Sequence, residues 1–195
     1  TDGTLAGSSL LEDINRPYSS SNPFDFRDLG ALVYFAAGTD TSGIEPHATD
    51  GTLAGTYRIA DVQPGSFGSG PADAATCGTD VFFAGTLFQH GTELFVTDGT
   101  TPGTVQLTNV TPAVAPRGMC ANGSKVVFSG FSANGREPWV SDGTAAGTFE
   151  LLDVRPGSAD SFSLLSENFT TAGSLTYFTA NDGTHGLELW VTDGT

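Results

Sequence analysis

Asp-Gly-Thr begins at Asp2, Asp50, Asp98, Asp142 and Asp193, at successive spacings of 48, 48, 44 and 51 residues. A chain of 195 residues that returns to one tripeptide at such intervals is a stack of similar supersecondary units. Each unit is too small to bury its own apolar face and needs a neighbour. The units read as 1–48, 49–96, 97–140 and 141–191, with 192–195 starting a further one. A Gly follows each of the first four tripeptides at Gly7, Gly55, Gly103 and Gly147, and then Asp13, Asp61, Asn109 and Asp153. Phe recurs at Phe35, Phe83, Phe128 and Phe178, and Glu at Glu45, Glu93, Glu137 and Glu188, two residues before His47, Phe95, Trp139 and Trp190.

Period and punctuation give the local structure. Thr176, Phe178 and Ala180 alternate in a strand with one packed face, repeated as Phe35/Ala37, Phe83/Gly85 and Phe128/Gly130. The segment Thr148–Val154 also alternates and predicts a strand. Between it and the preceding strand sits Asp-Gly-Thr, whose Asp can accept from nearby backbone N–H groups while its Gly supplies positive φ, a hairpin turn. With 26 Gly and 10 Pro no segment sustains a helical period. Three strands per unit, and a fourth in the variable Pro/Ser/Gly region, match the length of a propeller blade. The expected fold is all-β, tandem blades of about four short antiparallel strands. An open β-solenoid or superhelix is the alternative. Five turns exceed the four that a closed four-bladed ring needs, which reads as an excerpt of a longer array.

The recurring "ELWVTDGT", "ELFVTDGT" and "EPWVSDGT" resemble the ELWxxDGT repeats of large secreted or surface-bound bacterial proteins. The resemblance covers all four units and implies propeller-forming blades without a defined shared activity. His47 in "EPHATDGT" and Asn109 depart from the pattern.

A formal charge of −15 from 22 acidic and 7 basic residues disfavours nucleic acid and anionic membrane surfaces as partners. No apolar run reaches membrane-spanning length. Scarce Lys and abundant Thr, Ser and Gly fit an extracellular or cell-surface setting. The partners expected are neighbouring repeats or identical subunits, and surface glycans for a binding propeller.

Cys77 and Cys120 approach equivalent strands of adjacent units, so a disulfide between them and two buried thiols are both open readings. Asn109, Asn122 and Asn168 head glycosylation sequons. No cofactor is called for, and calcium is the one ion considered. Asp40 in "GTDTSG" and Asp182 in "ANDGTHG" are its candidates, in loops without the dense Asp-x-Asp-x-Asp pattern. The turn aspartates Asp2, Asp50, Asp98, Asp142 and Asp193 are read as capping their own turns. A Glu repeated in every unit is a blade-building acceptor, not one of two differentiated catalytic carboxyls. The aromatics at 95, 139 and 190 are read as core before sugar platform. The function expected is a non-catalytic extracellular scaffold or filament. The alternatives are an adhesin or lectin-like propeller, and the non-catalytic region of a larger secreted enzyme.

Overall fold

The computed structural model describes residues 3–16, 19–163 and 168–195, and Asp2 lies outside them. Fifteen strands form four antiparallel sheets, each a simple meander, with no helix among the described residues. None is therefore present that is long and apolar enough to cross a membrane. Sheet 1 holds β1 (Phe24–Leu29), β2 (Leu32–Thr39), β3 (Gly43–Thr49) and β4 (Tyr57–Arg58). Sheet 2 holds β5 (Ala72–Cys77), β6 (Asp80–Leu87), β7 (Gly91–Thr97) and β8 (Val105–Gln106). Sheet 3 holds β9 (Arg117–Asn122), β10 (Lys125–Ser132), β11 (Gly135–Ser141) and β12 (Phe149–Glu150). Sheet 4 holds β13 (Phe169–Ala172), β14 (Leu175–Asn181) and β15 (Leu187–Thr192).

The sheets are out of phase with the sequence units. The Asp-Gly-Thr turns at Asp50, Asp98 and Asp142 join the third strand of a sheet to the fourth, so a unit boundary drawn at the tripeptide falls inside a sheet. The variable Pro/Ser/Gly region supplies the first strand of the next sheet, as β13 illustrates.

The core lies between sheets. Neighbouring residues of β6 serve opposite interfaces because side chains alternate along a strand: Phe83 faces sheet 1 and Phe82 faces sheet 3. At the first interface Phe83 and Phe95 pack with Leu29, Tyr34, Ala48 and Ile59. At the second, Phe128 and Trp139 pack with Phe82, Leu94, Val96 and Leu107. At the third, Phe178 and Ala180, with Trp190 beside them, pack with Val154 and Phe162. The Phe and the aromatic two residues after each Glu are cross-strand partners (Phe83 with Phe95, Phe128 with Trp139, Phe178 with Trp190), so each sheet presents one paired aromatic surface. The recurring aromatics are core residues, and His47 takes the same place, buried and stacked on Phe35 with ring centroids 5.5 Å apart.

The turn explains its own tripeptide. Asp50 Oδ1 accepts from Thr52 N–H at 2.8 Å and from the Thr52 hydroxyl at 2.7 Å, while Gly55 N–H donates to Thr52 Oγ1 at 3.0 Å. The same contacts recur about Asp98 and Asp142, and the Thr contacts about Asp193. Gly55 is obligatory because a Cβ there would lie 2.1 Å from Asp50 Oδ1. Gly51, at φ +87°, takes the left-handed conformation that side chains disfavour. These bonds hold the turn carboxyls below the usual carboxylate range, the Thr hydroxyl contributing most.

One expected strand is cut short. In Thr148–Val154 only Phe149 and Glu150 pair with β11. Leu151 N–H still bonds Pro138 O at 2.8 Å, but then Val154 N–H turns to the Glu137 carboxylate at 2.9 Å and draws the chain off the sheet.

Because stability resides between sheets, Phe83→Ala should lower it by about 3–5 kcal/mol, and Phe88→Ala, whose ring is exposed, by under about 0.5 kcal/mol. Urea midpoints of the two variants measure this, and equal losses would contradict it.

Candidate functional site

The repeated glutamates sit at the centre of the third strands, and three of them are fully buried: Glu45, Glu93 and Glu137 are 0% exposed. Each reaches back over the segment that leads to the next sheet. Glu45 Oε1 accepts from the N–H groups of Gln63 and Ser69, both at 3.0 Å. Its Oε2 accepts from Val62 N–H at 3.2 Å and from the Ser69 hydroxyl at 2.6 Å. One carboxylate thus replaces the hydrogen bonds that this irregular segment would otherwise make to water. Glu137 holds Val154 N–H, and Glu93 holds the Thr108 hydroxyl at 2.5 Å. The connection after Glu93 is the shortened one, and Pro112 and Pro116 within it have no N–H to offer. Glu188 is exposed, and β15 pairs with β14 alone among the described residues.

Burial sets the ionisation of these groups. It raises the Glu137 carboxyl from an ordinary 4.5 to about 7, with the charge of Asp153 adding to it against the Val154 N–H. It also raises Glu45, over the donors that oppose the shift. Burial lowers the pKa of His47, over the bond to Glu45 O that opposes the shift.

A feature missed in the sequence lines the inner strands. Pro-x-Asp recurs at Pro23–Asp25 and Pro71–Asp73, and Pro116–Gly118 takes the third place. Asp25, Asp73 and Gly118 have φ of 55°, 53° and 64°, each at a bulge where the innermost strand enters its sheet. The bulge aims the carboxylate sideways, where Asp25 Oδ2 accepts from Ala74 N–H at 2.9 Å and Arg27 Nε donates to Ala74 O at 2.6 Å. Asp25 and Arg27 also form an ion pair at 2.5 Å. Arg117 and Arg136 both act on Asp73, whose carboxyl burial nonetheless raises. Arg136 is buried, donating to Ala115 O and to Ser129, with its guanidinium 4.0 Å from the Phe131 ring centre. These groups bind sheet to sheet. A 48-residue spacing of Pro-x-Asp was the available signal.

Asp40 and Asp182 are both committed to protein donors. Asn15 Nδ2 and the Ser19 hydroxyl donate to Asp40 at 3.2 and 3.0 Å. Asp182 accepts from the N–H groups of Thr184 and His185, both at 2.8 Å, and pairs with the His185 ring at 2.7 Å. Those bonds hold Asp182 well below the carboxylate range and raise His185. Among the described residues no group of three or more His, Cys, Asp and Glu is placed to hold a metal ion.

The disulfide reading is corrected: Cys77 and Cys120 are free thiols. Each reaches forward to the next sheet instead of to the other. Cys77 Sγ donates to Lys125 O at 3.3 Å, and Cys120 Sγ lies 3.2 Å from Thr171 Oγ1. Burial raises the Cys77 thiol. Among the sequons, Asn109 and Asn168 are exposed. Asn122 is 7% exposed at the end of β9, where a glycan has no room, so this candidate is withdrawn.

A cleft of about 300 Å³ between the N-terminal segment and sheet 1, lined by Glu12, His47, Tyr57 and Arg58 among others, brings charges of both signs together.

No family model and no curated protein matches this chain. Among solved structures it is similar to puromycin hydrolase, with a TM-score of 0.57 and 13% identity over 83% of this chain and 25% of that one. It is also similar to TolB from Acinetobacter baumannii, with a TM-score of 0.46 and 17% identity over 84% of this chain and 38% of that one. The sheets are β-propeller-like blades. This chain spans a quarter of the length of puromycin hydrolase.

The shifted glutamates fix a pH dependence. A carboxyl whose folded pKa lies above its unfolded value favours the folded state below the unfolded value, here about 4.5, and loses that contribution as pH rises through about 7. Glu137→Gln keeps an acceptor for Val154 N–H without the charge. Its stability should change less than wild type between pH 5 and 8 and exceed it at pH 8 by roughly 1–3 kcal/mol. Urea unfolding across that range checks this, and a variant weaker than wild type at pH 8 would contradict it.

Proposed function

We propose that this chain is a stretch of a non-catalytic extracellular scaffold, a structural array built by sheet-on-sheet packing. One observation carries the reading. The residues that recur in every unit, and would attract a functional assignment, are used in assembly: the aromatic pairs fill interfaces, the buried glutamates hold connections, and the turn aspartates cap turns. The acidic composition supports a soluble, self-repelling surface that binds neither nucleic acid nor anionic lipid. Resemblance to the ELWxxDGT repeats supports the extracellular setting.

A second reading is an adhesin or lectin-like module. The polar cleft beside His47 and Arg58 favours it, because it lies where a connecting segment meets a sheet and such segments vary between units. The region of a larger secreted enzyme is the third, and the similarity to part of puromycin hydrolase bears on fold alone.

Negative-stain electron microscopy of the native full-length protein, together with glycan-array and hydrolase assays, separates these. Extended regular particles with no retained glycan and no turnover are expected. Discrete rings that bind a glycan, with loss of binding in Arg58→Ala, would replace the scaffold with the adhesin.

A further inference from the structure

Between β1 and β14, the two most exposed large apolar side chains among the described residues are Phe67 and Phe88, at 83 and 78%. They lie on different elements, Phe67 in the connection from sheet 1 to sheet 2 and Phe88 in the turn from β6 to β7. The fold nevertheless brings them together, with ring centroids 6.5 Å apart and planes at 32°. Both sheets and the whole connection between them lie inside the chain, so the pair owes nothing to either chain end. Two phenyl rings held side by side in water forgo the burial that the repeated aromatics obtain, and an apolar patch kept open in this way marks a contact.

Neither residue belongs to the repeat. The close approach that places Phe67 recurs: a Cβ on Gly43 would run into the Phe67 carbonyl carbon, and one on Gly135 into that of Ala159. Ala159 therefore stands where Phe67 does. Leu87 pairs with Gly91 as Thr39 pairs with Gly43 and Ser132 with Gly135, so Asp40 and Ala133 stand where Phe88 does. The aromatic pair occurs at one junction and builds nothing that the other junctions need. Its backbone is held firmly all the same. Gly68 bridges Ile44, Gly70 N–H donates to Ile44 O at 3.0 Å, and Thr86 N–H donates to Ser69 O at 2.8 Å. Gln63 Oε1 accepts from Phe88 N–H at 2.8 Å and so ties the connection to the turn. A backbone fixed in advance lowers the ordering cost of holding a ligand.

Charge and area select the occupant. Residues 63–72 and 86–92 carry no Asp, Glu, Lys or Arg in a chain of net charge −15, and His90 is their one titratable side chain. A cation finds no carboxylate within these segments, and the field of the whole chain repels an anion, which leaves a neutral ligand. Two phenyl rings offer under about 400 Å² of contact, half of the roughly 800 Å² that each partner gives to a stable protein interface. A small ligand with an apolar face and a polar edge fits, because Ser66, Gln89 and His90, next to the two phenylalanines in sequence, are exposed and supply hydroxyl, amide and imidazole groups. We propose that Phe67 and Phe88 form a stacking site for a neutral β-linked saccharide, whose pyranose rings lay their axial C–H faces on the phenyl rings and turn their hydroxyls to the polar edge. The assignment goes beyond the scaffold reading and does not use the cleft beside Arg58. Open contacts of this size hold a soluble oligosaccharide with a Kd of about 1–10 mM, too weakly to survive the washes of a glycan array.

Titration of the 195-residue chain with cellotetraose, followed by NMR shifts of the backbone amides, tests it. The shifts should fall in residues 63–70 and 86–91. Phe67→Ala and Phe88→Ala should each weaken binding at least about fivefold, and the double variant should show none up to about 20 mM. Both rings are exposed, so the variants should fold as wild type does, which circular dichroism with thermal melts confirms. Phe67→Trp keeps a stacking face and should bind within about twofold of wild type. The β-1,4-linked tetraglucuronate, of the same shape but anionic, should bind at least about fivefold more weakly at low salt. No shifts up to about 20 mM, shifts that survive the double alanine variant, equal binding of the uronate, or loss of binding in Arg58→Ala with both rings intact would overturn the proposal. A ring-dependent response to decaproline or to phosphatidylcholine vesicles, without one to cellotetraose, would give the rings another occupant and overturn it too. Failure of this site leaves the scaffold reading standing, because particle shape under the microscope decides that reading separately.

Discussion

A sheet of this protein has no core of its own. Its cohesion comes from laying an aromatic pair, such as Phe83 and Phe95, on the aliphatic face of the sheet before it. Everything else serves that contact. Because side chains alternate along a strand, Phe82 and Phe83 bind opposite neighbours, so an internal sheet is buried on both faces and its stability is shared with the sheets that flank it.

Stacking sheets leaves the chain to cross from the outer edge of one to the inner edge of the next through a segment without regular hydrogen bonding. The glutamate of the third strand reaches this segment from within the interface: Glu45 accepts from the N–H groups of Val62, Gln63 and Ser69, Glu137 from Val154 N–H, and Glu93 from the Thr108 hydroxyl. Burial raises the pKa of Glu45 and Glu137, so those two junctions lose stability as pH rises, whereas the turn carboxylates, whose pKa is lowered, lose theirs as pH falls. The turn carboxylates are exposed and satisfied within six residues, which lets every unit reproduce them regardless of its neighbours. The framework is constant for these reasons, and variation in length falls between the buried glutamate and the next inner strand.

Much of this was legible in the sequence because each repeated residue has one physical role. Asp-Gly-Thr announced the turn, and Phe178 and Trp190 the packed face. The buried glutamate was readable as an acceptor, since a group present in every unit cannot be one half of a unique catalytic pair. What stayed hidden depended on direction and phase. The tripeptide marks a turn inside a sheet, and only pairing shows where a sheet begins. Alternation in Thr148–Val154 persists after pairing has ceased, because Glu137 captures the backbone there. Cys77 and Cys120 share a face, but that face points to the next sheet, so neither sees the other. Asn122 is buried because it takes the strand-end position that Cys77 occupies one sheet earlier. Asp25 and Asp73 do not stand out in the sequence because the bulge that turns each carboxylate sideways is visible only in the backbone.

The central claim is that stability is held between sheets and decreases toward those with an open face. Native-state hydrogen exchange, resolved by strand, tests it most directly. In the 195-residue chain, amides of β7 and β11, in sheets flanked on both faces, should exchange slowest and together, and those of β15 fastest. Protection of β15 equal to that of β7 would contradict collective stabilisation and mean that each sheet stands alone.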